Sequence, residues 1–235
     1  MSKILITTGV FSPDIGGPAS FGSALAQHLA SENKITVITY SSVFRFKEDK
    51  KQPFIVIRVW KKAPWLWRHL AYTFKIWLQA EKHDRIFVLN VLNGGIPALI
   101  AKVLFKKKYM LRVVGDRAWE AAINSQKTFL LIDDFQQEKK RGWIGTLAKW
   151  QALVCKKADK IIVPSQYISK MVQGWGVAEN KISIIYNGVD FIPSELGREE
   201  ARKAIGIPGS ILLSIGRLVP WKGFRMLIKI MPQLL

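Results

Sequence analysis

Two short segments hold residues whose types and spacing suit one kind of chemistry, the binding of phosphate. The first is Ser12-Pro13-Asp14-Ile15-Gly16-Gly17-Pro18, which lies between an apolar run and an amphipathic one. Paired glycines let a ligand come close to the backbone, and the amides that open the following helix suit an anion. An ordinary strand-to-helix turn would use the same residues. The second is Gly216-Arg217-Leu218-Val219-Pro220-Trp221-Lys222-Gly223-Phe224. Arg217 and Lys222 flank a tight turn that opens a helix, and two cations beside a helix N-terminus form a site for a diphosphate. In so basic a chain they also read as solvated surface charges. Their place after the apolar run 211–215, at the carboxyl end of an expected strand, favours the binding role.

Both segments need a scaffold, and the pattern of the chain supplies one. Short apolar runs at 3–7, 34–39, 54–59, 85–89, 109–114, 160–163 and 181–186 read as strands. Amphipathic stretches at 19–31, 65–82, 96–105 and 146–157 read as helices, and Ser165 is placed to cap one that ends near Gly174. Residues 115–145 carry mixed charge and read as a long functional loop with short helices. This alternation predicts an α/β fold with a parallel sheet and helices on both faces. Asn187-Gly188 is a turn signal. The composition then shifts over 191–209, as in a linker, before a fresh strand at 211–215 and a helix over 223–235.

The totals set outer limits. Of the 235 residues 49% are hydrophobic, which allows one sizeable core and part of another. Lys and Arg number 36 against 17 acids, and the resulting +19 points to a polyanionic partner, nucleic acid or an anionic membrane surface. Cys155 is the one cysteine, so an internal disulfide and a cysteine-rich metal site are excluded and a reducing compartment is expected. It falls in an apolar helical stretch, as a buried structural thiol would. His28, His69 and His83 lie apart and suggest packing or surface positions rather than a metal site. Gly174-Trp175-Gly176 lacks the third glycine of a dinucleotide fingerprint and follows a helix, and no P-loop occurs, which disfavours nicotinamide and ATP chemistry. No apolar segment reaches the roughly 18 residues that cross a bilayer, and the first is too short for a signal peptide. The expected location is cytoplasmic, peripheral on the inner face of the membrane.

With Lys157-Ala158-Asp159-Lys160-Ile161-Ile162-Val163-Pro164-Ser165 and Tyr186-Asn187-Gly188-Val189-Asp190, the two phosphate segments make the chain resemble glycosyltransferase family four, retaining enzymes of the GT-B fold. The resemblance runs from Met1 to the last residue. It implies two Rossmann-like domains facing each other across a cleft. Residues 1–190 would be the acceptor-side domain, 191–209 the linker and 210–235 the start of an incomplete donor-binding domain. Arg217 and Lys222 would contact the donor diphosphate and offset charge on the leaving group, where negative charge develops in the transition state. Gly16 and Gly17 would face the same phosphates from the first domain, and Asn187 and Gly188 would shape the hinge side of the cleft.

Asp116, in Gly115-Asp116-Arg117, falls where the family often carries a His or Asp. By that resemblance it is the candidate catalytic residue, orienting or deprotonating the acceptor hydroxyl or holding the donor sugar. A helix-capping aspartate is the alternative. Trp119 and Glu120 would contact the acceptor saccharide. No cofactor and no metal are expected, since no two aspartates are separated by a single residue. The family's pair of glutamates, separated by seven residues, has no counterpart after Lys222, where thirteen residues remain. The chain by itself is therefore expected to transfer little or no sugar.

The activity implied is transfer of a hexose-type sugar from a nucleoside-diphosphate sugar to a hydroxyl acceptor such as a membrane-linked saccharide, in polysaccharide biosynthesis. A nucleotide-sugar epimerase of the same fold is the nearest alternative. A non-catalytic basic module for membrane or nucleic acid would explain +19, but not glycines and cations at strand ends. One more stretch bears on partners. On the helix over 65–82, Leu66, Leu70, Phe74 and Trp77 share one side, and Arg68, Lys75, Gln79 and Lys82 another. Trp and Tyr beside Lys and Arg suit an anionic headgroup layer. The reading is that the apolar side covers the sheet and the rim meets the membrane, with Lys106-Lys107-Lys108 and Lys139-Lys140-Arg141 adding to the field.

Overall fold

The computed structural model describes residues 1–188, 193, 195–216 and 218–234. Arg217 lies outside them. The chain divides into two compact units, one made of Met1–Ala121 and Leu130–Tyr186, the other of Ala122–Phe129 and Asn187–Leu235.

The first unit is built on seven parallel strands. They are β1 (Lys3–Thr8), β2 (Lys34–Ser41), β3 (Ile55–Trp60), β4 (Arg85–Val88), β5 (Lys108–Arg112), β6 (Lys160–Val163) and β7 (Ile182–Ile184), in the order β3-β2-β1-β4-β5-β6-β7. Between them run α1 (Gly17–Leu29), α2 (Trp65–Lys82), α3 (Gly95–Phe105), α4 (Arg117–Asn124), α5 (Ile132–Gln137), α6 (Gly142–Lys157) and α7 (Gln166–Gly174). A parallel sheet is covered on both faces, so its strands are apolar on both. Successive residues therefore enter different cores. Leu5, Ile38, Ile86 and Val88 pack with α2, α3 and α6 through Tyr72, Ile76, Ala98, Ala101, Val154 and Cys155. Ile6, Val37 and Phe87 pack on the other face with Ala26 of α1.

Ser165 caps α7, accepting from the Ile168 amide at 3.2 Å. Burial pushes the Cys155 thiol up to about 12, with Asp116 adding to the rise, so it is an inert packing group. His83 is buried, donating from Nδ1 to the Gln79 carbonyl at 2.6 Å and accepting from the Thr36 hydroxyl at 2.9 Å.

Helix α2 differs from the reading of its sequence. The stripe it turns to the core is Tyr72, Ile76 and Ala80, spaced by four. Leu66, Leu70 and Phe74 stand exposed, and Trp77 is half-buried with its indole N–H donating to the Pro97 carbonyl at 3.1 Å. Tyr72, Ile76 and Ala80 fit against the sheet and α3, which leaves the row of Leu66, Leu70 and Phe74 outside.

The second unit holds α8 (Arg198–Ile205) and α9 (Phe224–Leu234), with no buried residue among those described from 193 to 234. The strand expected at 211–215 does not form, and Leu213 and Ile215 are 79% and 86% exposed. A strand exists through its pairing, and the described residues of this unit offer no second one.

Candidate functional site at the carboxyl edge of the sheet

In an open parallel sheet, ligands bind beyond the carboxyl ends of the strands where the strand order reverses. That point here lies between β1 and β4, which pair with Leu5 opposite Ile86. The loops that follow these strands meet there: a Cβ on Gly9 would stand 3.3 Å from the side-chain Nδ2 of Asn90.

The β1–α1 loop is held firmly. The Thr8 hydroxyl donates to the Val10 carbonyl at 2.9 Å, and the Asp14 amide to the Phe11 carbonyl at 3.0 Å. Arg58, nearly buried on β3, donates to the Ser12 carbonyl at 2.7 Å while its guanidinium grips both oxygens of Asp49 at 2.7 Å. Gly16 has φ 149°, a region that disfavours any side chain, so the chain must be glycine there to turn into α1. A Cβ on Gly17 would meet nothing within 4 Å, so packing does not demand that glycine. The amides of Ala19 and Ser20 already donate to the Gly16 carbonyl, and Pro18 has none. An anion at this helix start would therefore use the Gly16 and Gly17 amides. The cleft of about 480 Å³ beside the loop is lined by Phe11, Ser12, Phe46, Glu48 and Asp49, and its two carboxylates make it unsuited to phosphate.

A second glycine pair, Gly94 and Gly95, starts α3 at the end of β4 and does not stand out in the sequence reading. A Cβ on Gly94 would lie 2.5 Å from the Thr7 hydroxyl oxygen, and one on Gly95 2.6 Å from a Val154 methyl. The signal was available: two glycines after a strand and opening a helix, the same syntax as Gly16-Gly17.

Asp116, Trp119 and Glu120 come together at the end of β5. Asp116 is 2% exposed. Its Oδ1 accepts from the amides of Ala118 (2.8 Å) and Trp119 (3.0 Å) and from Gln151 Nε2 (3.1 Å), and its Oδ2 from Gln136 Nε2 (2.8 Å). The carboxylate caps α4 and ties it to α5 and α6. Gln136 in turn accepts from the Trp175 indole at 3.0 Å, and Gln151 from the Arg117 amide at 2.8 Å. A carboxylate engaged by four donors has little left for a substrate, so the capping alternative is the role this geometry supports. Trp119 is half-buried and donates from its indole to the Leu130 carbonyl at 3.0 Å. Glu120 is paired with Arg117 at 3.1 Å and lies against Gly115.

The remaining expected residues belong to the second unit. Asn187 and Gly188 are exposed just past β7. Lys222 is exposed at the end of a single turn of 3-10 helix, Pro220–Lys222, whose last amide donates to Val219 at 3.0 Å. Gly223 leaves that turn at φ 73°. A Cβ on Gly216 would meet the Phe224 ring at 3.5 Å and the Lys222 stem at 3.8 Å, so the lysine lies over the glycine. The pairing of Lys222 with Arg217 falls outside the described residues. Among those described, no cluster of His, Cys, Asp or Glu could hold a metal.

A seven-stranded parallel sheet with a glycine turn at its switch point defines a Rossmann-like architecture, the kind found in GT-B enzymes. The family model described as Glycosyltransferase Family 4 matches residues 15–191, and the chain belongs to that family. Among solved structures it is similar to Anabaena Alr3699/HepE in complex with UDP and glucose, with TM-score 0.68 and 17% identity over 99% of this chain and 58% of that one. It is also similar to a glycosyltransferase from Rickettsia africae ESF-5, with TM-score 0.57 and 16% identity over 99% of this chain and 57% of that one. A putative UDP-N-acetylglucosamine 2-epimerase from Listeria monocytogenes aligns less fully, with TM-score 0.50 and 15% identity over 77% and 44%. At these identities the likeness is one of fold. The chain spans less than two thirds of the length of each. No curated protein matches the sequence.

Proposed function

We propose that the protein serves the transfer of a hexose-type sugar from a nucleoside-diphosphate sugar to a hydroxyl acceptor, with retention at the anomeric carbon. The acceptor is a membrane-linked saccharide, the setting polysaccharide biosynthesis, and the protein works peripherally at the inner face of the membrane. The observation that carries this reading is the family match over residues 15–191, laid on a sheet with a glycine turn at its switch point. The UDP and glucose bound by the Anabaena relative support the choice of donor class. Lys222, with Arg217, holds the donor diphosphate and offsets the charge of the leaving group. Gly16 and Gly17 offer backbone amides to an anion, Asn187 and Gly188 shape the turn that leaves β7, and Trp119 and Glu120 contact the saccharide. Asp116 is a positioning residue: it fixes α4, and through it those two side chains.

The test is transfer from labelled nucleoside-diphosphate sugars to an extracted glycolipid. Little or no product is expected from the 235 residues alone, and product of retained configuration from the same residues fused to the carboxy-terminal half of the Anabaena relative. No product from any donor with that fusion overturns the reading. Interconversion of the donor sugar without acceptor product favours an epimerase.

A further inference from the structure

Helix α2 presents its apolar row to solvent. With Tyr72, Ile76 and Ala80 against the core, the opposite ridge is Trp67, Leu70, Phe74 and Leu78, and Trp67 and Phe74 are 68% and 58% exposed. A shallow groove of about 410 Å³ runs among Trp67, Leu70, Phe74 and Trp77. The neighbouring α3, pinned to α2 through the Trp77–Pro97 bond, ends in Val103 and Leu104, which are likewise exposed. A soluble helix ordinarily places such residues inward and its charges out. Among the described residues nothing covers this ridge, whose Leu70 and Leu78 are also exposed.

The charges around the ridge say what covers it. Arg68, Lys75 and Lys82 run along one flank of α2, and Glu81 is the single acid in the helix. Lys106 and Lys108 stand exposed at the end of α3, and Lys107 binds the Glu81 and His83 carbonyls at 3.1 and 2.9 Å, closing the end of α2. A second copy of this chain would bring +19 against +19, and like charge opposes that contact. An anionic bilayer answers both features, with phosphates for the cations and an acyl boundary for the aromatics. No helix described is long and apolar enough to span it, so the contact is one of lying on the surface.

We propose that the outer ridge of α2, with the end of α3, docks on an anionic lipid bilayer. Trp67, Leu70, Phe74 and Leu78 enter the boundary between headgroups and acyl chains, the groove takes an acyl chain, and Arg68, Lys75, Lys82 and Lys106 stay at the level of the phosphates. The proposal names the surface behind the peripheral attachment and rests on that part of the reading above, not on its sugar chemistry.

Cosedimentation of the 235-residue chain with phosphatidylcholine vesicles, with and without phosphatidylglycerol, tests it. The protein is expected to partition onto the anionic vesicles and to be released by salt. The double variant Trp67→Ser, Phe74→Ser should lose at least about tenfold in partitioning, while its thermal melt stays that of the parent because both side chains are exposed. Lys75→Glu with Lys82→Glu should lose the preference for anionic vesicles. Equal sedimentation of the aromatic double variant and the parent overturns the proposal, as does equal binding of the parent to neutral vesicles. So does a parent dimer that the aromatic variant dissolves while vesicle binding is absent. The vesicle assay contains no nucleotide sugar. Failed transfer with intact vesicle binding therefore strikes the sugar chemistry alone, and the reverse result strikes the docking face alone.

Discussion

Asp116 shows how one buried carboxylate can organise a site without touching substrate. It joins two backbone amides, Gln136 and Gln151, and through them the Trp175 indole and the Arg117 amide. Removing it leaves several buried donors unpaired, and each such group costs its full desolvation. Asp116→Ala should lower stability by about 3 kcal/mol in urea melts. Asp116→Asn should also be destabilising, because its amide would face the Gln136 NH2, and turning Gln136 over would set an NH2 against the Trp175 indole.

His83 carries a second prediction at this scale. Burial, with the neighbouring Lys3 and Lys107, lowers its pKa below the ordinary 6.5 despite the Gln79 carbonyl and Asp84. His69, which is hydrogen-bonded to Tyr40 at 2.8 Å, is lowered too, by burial and then by Arg68. A histidine with a lowered folded pKa stabilises fully above its unfolded value. The unfolded chain takes up its proton first as pH falls, so that contribution is lost below about 6.5. Urea melts on either side of that pH should show the fall, and His83→Gln should flatten part of it.

At the scale of elements, α2 sets the position of the candidate loop. The Tyr72 hydroxyl, fully buried, donates to the Thr8 carbonyl at 2.9 Å, at the point where β1 ends and the glycine loop begins. Tyr72→Phe removes this donor with little change of volume and should cost about 1 kcal/mol in a urea melt. A cost near zero would mean that the loop does not depend on α2. The stacking of Tyr40 on Tyr72, with ring centroids 4.3 Å apart, holds the same helix to the end of β2.

At the scale of the molecule, the two units differ in what holds them. The first has its core on both faces of the sheet, whereas the described residues from 193 to 234 bury none. Local stability follows buried apolar contact, so amides of α8 and α9 should exchange with deuterium about a hundredfold faster or more than those of β1, β4 and β5. Comparable protection in α9 and β1 would show that the second unit has a core of its own in solution.

The chain of residues determined the elements and the family, and folding decided what each element shows. Short apolar runs such as 35–38 and 86–88 alternate with longer amphipathic stretches, as a parallel sheet covered by helices requires, so that architecture was legible from the sequence. The bounds of α2 and the cap at Ser165 were legible as well, because local periodicity and a side chain's reach to its own helix are local facts. Periodicity tells which residues share a side of a helix but not which side is covered, and for α2 the sheet and α3 chose Tyr72, Ile76 and Ala80. Asp116 could be read as base or as cap until Gln136 and Gln151, distant in sequence, arrived to occupy it. The apolar run 211–215 had the composition of a strand but lacked the one thing composition cannot supply, a partner to pair with.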